Sequence, residues 1–462
     1  MSAHDVLLAM LPEHLLLAGI LLLIGFEVLS LELKSVAALA VAVVLAATAA
    51  AFWLAATGYE GAPFAEQFSV APAGSAGKAI VLALAVPVLL MARDDFERDH
   101  RFHALLLSSL YGFCLLLSAD SFLTLFLGIE MMSLPVYVLV LLGFRRPESA
   151  EAALKYLVLS GAASAMFLMG AALLYGGSGS LALSAFAGAL GAPGPMAMAA
   201  VVLVVIAFFL KAAVVPFHAW APDAYEGATL PVTAYMATVI KAGVLLAAVR
   251  LFAAAPLTGA MVGLVAVLPL VSIVWGNLAA MRQGSFRRMI AYSSIAHAGY
   301  LFYALLGAAP GRFQAILFYV LAYGLMNILA LACIPGGADD ASRDRLDNLK
   351  GLFHRAPFAA VMIGIAMLSL AGIPPFPGFV AKFLIFKNVM AAGYTTYAVL
   401  GLIGSYLGIY FYLRVIQILF MSSEDRNAVR GAPGAMALGA GALCVAAAIV
   451  LAVFPGWVIG RL

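Results

Sequence analysis

Apolar runs long enough to cross a membrane recur along the whole chain, divided by short stretches in which Lys, Arg, Asp, Glu, Gly and Pro collect. Fourteen such runs fall near residues 12–31, 35–57, 78–92, 102–118, 121–143, 150–175, 196–216, 229–254, 257–281, 287–308, 312–334, 356–392, 394–421 and 433–459. A helix rises about 1.5 Å per residue and a bilayer core is about 30 Å thick, so about twenty apolar residues make one crossing. The pattern predicts an all-α membrane protein with about fourteen transmembrane helices. The first run has no basic segment ahead of it and is followed by span after span, so it reads as a membrane helix and not as a cleaved leader.

Composition supports this picture and narrows the chemistry. The 462 residues are 65% hydrophobic and 10% charged, with a mean hydropathy of +1.09, whereas soluble domains are about half apolar and about a quarter charged. One buried core cannot hold so much apolar surface, which excludes cytosolic, secreted, disordered and collagen-like classes. The net charge of +3 comes with no basic tract, so nucleic acid is not a partner. Cys114, Cys333 and Cys444 stand alone, without a CxxC or a His/Cys pair, which argues against a metal site, an iron–sulfur cluster or a disulfide scaffold. No glycine-rich nucleotide fingerprint follows a strand pattern either. No cofactor or metal is therefore expected on this chain, and any redox chemistry belongs to another.

Basic residues set the orientation. Loops on one side carry fifteen Lys and Arg, among them Lys34, Arg93, Arg145, Arg287, Arg343, Arg426 and Arg430; the other side carries four, Lys78, Arg250, Arg312 and Arg461. The asymmetry is that of cytoplasmic against external loops, so both termini are expected outside. The remaining basic residues interrupt apolar runs: Lys155, Lys211, Lys241, Lys382, Lys387 and Arg414, joined by Glu27, Glu130 and His297.

Lys241 lies about twelve residues from either end of its run, roughly 18 Å of helix, too deep for its stem to reach water. A charge there costs at least ~2.5 kcal/mol and persists where a partner, a wet cavity or a function retains it. Glu130 stands in SFLTLFLGIEMMSLPVYVLV five residues before Pro135, whose missing N–H leaves the Met131 carbonyl unpaired and is expected to kink the helix. Burial favours the neutral form of a lone carboxyl and a nearby ammonium favours the charged form, so a Glu/Lys pair can exchange protons near neutral pH. The alternative is a static ion pair that fixes helix packing. Lys211 and Lys382 each lie beside a break, at Pro216 and Pro222 in one run and at Pro374, Pro375, Pro377 and Gly378 in the other. Backbone left unpaired at membrane depth is tolerated where it lines a cavity or packs in protein. His297 is mid-span, either a proton relay or an imidazole bonded to a neighbour. Lys155 lies near a span end, within reach of the surface, and Lys387, Arg414 and Glu27 also lie toward span ends.

Pro216–Phe217 recurs as Pro375–Phe376, 159 residues on, and five spans separate the copies. An odd number of spans makes the copies cross in opposite directions, an inverted-topology repeat. The organisation expected is helices 1–3 over residues 1–101, a first five-helix repeat over 102–254, a second, inverted one over 255–421, and a last helix over 422–462, each repeat containing a broken helix.

The stretches GIEMMSLPVYVLV (128–140), EAALKYLVLSGAASA (151–165), FLKAAVVPFHAWAPDAYEGATLPVTAYMATVIKAGVLLAAVRLF (209–252), GNLAAMRQGSFRRMIAYSSIAHAGYL (276–301) and LAGIPPFPGFVAKF (370–383) resemble the antiporter-like membrane subunits of respiratory complex I, the proton-translocating NADH:quinone oxidoreductase. PDAYEGA, PVTAY and AYSSIAHAGY, with lysine at 382, resemble the subunit N branch more than its paralogues L and M. The resemblance implies that Glu130 pairs with Lys211, that Lys241 is the central proton carrier with His297 beside it, that Lys382 leads outward, and that Lys155 modulates the line. It implies a translocase whose NAD, FMN, iron–sulfur clusters and quinone are held by partner subunits. It also implies a hetero-oligomer with other antiporter-like and small hydrophobic membrane-arm subunits, in contact with lipid, in a bacterial inner membrane with both termini periplasmic. Two readings compete with it: a subunit of a multi-subunit Na+/H+ antiporter, and a purely structural subunit whose charges are packing ion pairs.

Overall fold

The computed structural model describes residues 3–30, 35–143, 146–191, 194–253, 257, 259–335, 344–421 and 433–461. Lys34, Arg145, Arg343, Arg426 and Arg430, used above for orientation, lie outside the described residues. Membrane-length helices and half-helices, numbered in chain order, are α1 (Leu11–Val28), α2 (Val36–Ala56), α3 (Pro72–Phe96), α4 (His100–Ser118), α5 (Phe122–Leu142), α6 (Pro147–Ser178), α7 (Pro195–Ala212), α8 (Trp220–Gly227), α9 (Leu230–Phe252), α10 (Ala260–Ala280), α11 (Phe286–Tyr303), α12 (Ala309–Ala332), α13 (Pro357–Ala371), α14 (Pro377–Ala391), α15 (Thr395–Met421) and α16 (Ala435–Val453). Among the described residues, thirteen helices are long and apolar enough to cross a membrane. The run expected near 356–392 is divided into α13 and α14, neither of which spans alone.

Local chemistry explains several boundaries. Ser35, Asp99 and Ser285 accept backbone N–H bonds as N-caps of α2, α4 and α11, and Ser121 with Thr124 forms a capping box at α5. Pro72, Pro147, Pro195, Pro357 and Pro377 open their helices, where a missing N–H loses nothing. Helix α5 runs through Pro135 as one helix. Pro222, expected to interrupt a span, lies instead in the first turn of α8.

Helix α9 is buried along its length and α11 and α12 nearly so, whereas α1, α2, α6 and α16 leave most residues on the outside. The apolar exterior, including Leu21, Phe52, Leu154, Ile403 and Val453, is the surface a lipid-embedded protein presents. Several helix pairs approach at glycine. A Cβ on Gly112 of α4 would lie 2.3 Å from the Met132 nitrogen of α5, and one on Gly276 of α10 would lie 2.7 Å from the Ala296 nitrogen of α11.

The two ends of the bundle differ. At one, the hairpin β1 (Gly61–Phe64) and β2 (Phe68–Val70) bridges to Ala119, and Phe122 N donates to Leu181 O. At the other, Arg287 and Asp344 form a nearly fully buried ion pair, with Nε 3.0 Å from Oδ2. Arg287 and Lys78, both counted above as loop residues, are each 1% exposed. Both sit within a turn or two of a helix end, where a partner from a neighbouring segment reaches them.

Candidate functional site

Both helix breaks are built alike. Helix α7 ends at Ala212, Ala213 turns left-handed at φ 62, and Val214 N donates back to Phe209 O over 2.8 Å. Helix α13 ends at Ala371, Gly372 turns left-handed at φ 83, and Ile373 N donates back to Leu368 O over 3.1 Å. This is the six-to-one bond of a Schellman ending, and each pair of residues differs by the same 159. The peptides before Pro216 and Pro375 are both cis. The helices thus stop four residues ahead of these prolines.

The carbonyls freed by the breaks are taken up by side chains. Trp220 Nε1 donates to Leu210 O over 2.9 Å in the first break. In the second, Lys382 of α14 donates to Leu370 O and Ala371 O, each over 3.0 Å, and lies 5.2 Å from the Tyr300 ring centroid. The two lysines occupy different halves: Lys211 is the penultimate residue before its break, and Lys382 follows its break on the next half-helix.

Glu130 of α5 and Lys211 of α7 come together as expected, with Nζ 2.9 Å from Oε1. Lys211 also donates to Ser160 Oγ over 2.6 Å, Tyr137 OH bonds the same serine, and Ser164 Oγ donates to Glu130. Tyr137 packs edge-on against Tyr156, which stacks on Trp220 at 4.2 Å.

Lys241 follows a π-helical turn, Met236–Ile240, inside α9. Such turns loosen the helical ladder and concentrate at functional sites. Its ammonium is nearly fully buried and donates to the carbonyl (2.5 Å) and hydroxyl of Ser294 on α11. Among the described residues, no carboxylate lies within ion-pair distance of Lys241 or Lys382. Tyr225 OH reaches the same serine hydroxyl at 3.2 Å.

His297, one turn along α11, does not bond Lys241. Its Nδ1 meets Tyr319 OH at 2.7 Å and its Nε2 meets Tyr412 OH at 3.1 Å, Tyr412 also meets Ser293 Oγ at 2.6 Å, and Tyr323 stacks on the ring at 4.5 Å. A small cavity lined by His297, Tyr319, Tyr323, Ser369, Leu370 and Gly378 lies between the imidazole and the carbonyls that hold Lys382. Burying lone ammonium groups is costly, and here the cost is met by serine, carbonyl and tyrosine dipoles.

Lys155 stands apart from this line. It is 44% exposed and pairs with Glu151 (2.6 Å) and Asp223 (2.7 Å), and Asp223 also receives Arg288 Nη1 at 2.8 Å. Glu27, near its helix end, meets His100 and Arg101, and Arg414 donates to Met281 O. Sequence reasoning missed the serines and tyrosines that join the charges, because hydroxyls in an apolar run carry no hydropathy signal. It also missed two further buried pairs, Arg287 with Asp344 and Glu13 with Lys78 at 2.5 Å.

Residues 119–408 match the family described as NADH:quinone oxidoreductase/Mrp antiporter, transmembrane, and the chain belongs to that family. It is 41% identical over 425 residues to NADH-quinone oxidoreductase subunit N of Pelobacter propionicus, covering 92% of this chain and 91% of that one. The subunit N of Geobacter metallireducens is 36% identical over 375 residues, 80% of each chain. A chain of the solved respiratory complex I of Thermus thermophilus with bound aureothin superposes with a TM-score of 0.84 at 33% identity, over 97% of this chain and 98% of that one.

Proposed function

We propose that this chain is a proton-translocating membrane-arm subunit of an NADH:quinone oxidoreductase, and that protons move through it along Glu130, Lys211, Lys241, His297 and Lys382. The observation that carries the reading is the run of buried lysines at the two helix breaks and the π turn, each hydrogen-bonded to serine hydroxyls, a carboxylate or backbone carbonyls, with a tyrosine-bonded imidazole among them. Groups that accept and give up protons within a dry interior make a relay when hydrogen-bonding side chains lie between them. Glu130 and Lys211 form the uptake pair, Lys241 is the central carrier, His297 passes the proton on, and Lys382 leads outward. Lys155, on the surface with Asp223 and Glu151, tunes the field at the uptake end.

The drive comes from quinone reduction elsewhere in the assembly, where partner subunits hold NAD, FMN, iron–sulfur clusters and quinone. The neighbours are other antiporter-like and small hydrophobic membrane-arm subunits, with lipid around them. The matched break geometry supports two inverted repeats, 102–254 and 255–421, between the N-terminal helices and α16. The membrane is a bacterial inner membrane with both termini periplasmic, a placement that rests on the lopsided Lys/Arg count.

Extraction of the tagged chain in mild detergent, followed by identification of what co-purifies and an assay of inhibitor-sensitive NADH:quinone reduction, tests this. Flavin and iron–sulfur subunits with a working quinone reductase are expected. Small hydrophobic partners alone, with sodium-dependent proton release and no NADH oxidation, would instead make the chain an antiporter subunit.

A further inference from the structure

We propose that Glu13, Lys78 and Ser118 form a second proton-holding site on this chain, on an outward branch that leaves the path described above at Lys241; the inference rests on that reading. At Lys211 one ammonium is shared between a glutamate oxygen at 2.9 Å and a serine hydroxyl at 2.6 Å. The same three groups recur at Lys78, with Glu13 Oε1 at 2.5 Å and Ser118 Oγ at 2.6 Å. The second set is the more deeply buried, both charged side chains being 1% exposed against 6% and 19% for Lys211 and Glu130. Glu13 Oε2 is buried and meets no hydrogen-bond partner among the described residues.

Position argues for an outward role. Glu13 lies in the first turn of α1, Lys78 in the second turn of α3, and Ser118 is the last residue of α4, all at the end that carries the β hairpin. The carbonyl beside Ser118, on Leu117, accepts a bond from Arg250. Arg250 stands nine residues beyond Lys241 on the same helix, about 13 Å further out. A cavity of about 350 Å³, lined by Ser69, Gly74, Leu117, Arg250 and Arg312, lies at that foot of α9 and is large enough for water.

The step is a proton transfer. A proton arriving from the Lys241 side bonds to Glu13 Oε2 while Lys78 keeps its three N–H bonds, so the neutral ion pair becomes an ammonium beside a carboxylic acid. Loss of that proton to water on the hairpin side restores the pair. No oxidant, reductant or leaving group takes part.

The test uses the whole complex in sealed vesicles, measuring protons moved per NADH oxidised. The double variant Glu13→Gln/Lys78→Met removes both charges at once and leaves no lone charge buried. The ratio is expected to fall by the share of protons that this chain moves, and to match Lys241→Met measured beside it. A wild-type ratio in the double variant with a lost ratio in Lys241→Met would overturn this site alone, leaving a packing ion pair. Wild-type ratios in both would overturn the path itself. If the double variant does not assemble, Ser118→Ala decides, since it removes one hydroxyl and leaves the charges paired: a lowered ratio supports the site and a wild-type ratio overturns it.

Discussion

Glu130 and Lys211 hold each other's charge in a setting where either alone would be costly. Removing one partner of a buried pair typically costs about 3–5 kcal/mol, whereas replacing both by neutral groups costs far less. Glu130→Gln is therefore expected to lower the thermal midpoint of the purified complex, and Glu130→Gln/Lys211→Met to recover most of the loss while leaving proton movement impaired. A double-mutant cycle on thermal stability checks the coupling. These residues were legible in the sequence because a charge in the middle of an apolar run stands out. Glu13 and Lys78 were not, since each lies within two turns of a helix end and reads as a loop charge. Lys155 went the other way: it falls inside an apolar run but faces outward, with Glu151 one turn before it and Asp223 from α8 as partners.

Among the elements, the second break is held by close backbone approach. A Cβ on Gly378 would lie 1.9 Å from Ser369 O, a backbone atom at the end of α13, so Gly378→Ala must push the half-helices apart. Overpacking of this kind costs about 1–3 kcal/mol and would also draw Lys382 away from the Leu370 and Ala371 carbonyls. A lowered thermal midpoint and reduced coupled activity are expected for Gly378→Ala. Gly188→Ala, where a Cβ meets nothing within 4 Å, is expected to leave both unchanged. The sequence marked both breaks by their prolines but misplaced the stops, because the helix ends at the left-handed residue ahead of each proline. The π turn before Lys241 had no signal at all: MATVI contains neither Gly nor Pro.

For the whole molecule, the fourteen apolar runs were legible and correspond, among the described residues, to thirteen full helices and one divided crossing. Lys78 and Arg287 read as loop residues but are both buried; removing one from each side of the Lys/Arg count leaves the imbalance in place. Single cysteines test the orientation directly, since the three native cysteines are buried. Glu60→Cys, on the hairpin side, is expected to react with an impermeant maleimide from the periplasmic face, and Arg98→Cys, at the opposite end, only after the membrane is opened. The reverse pattern would invert the topology and with it the direction of the path.

The most direct measurement of the central claim is NADH-driven proton uptake or release by vesicles carrying the assembled complex with Lys241→Met. Methionine keeps the bulk of the side chain but has no ammonium to donate to Ser294. Loss or strong reduction of proton movement, in a complex of normal subunit composition, is the result the account predicts. Near-normal pumping would contradict it and leave the buried lysines as parts of the packing alone.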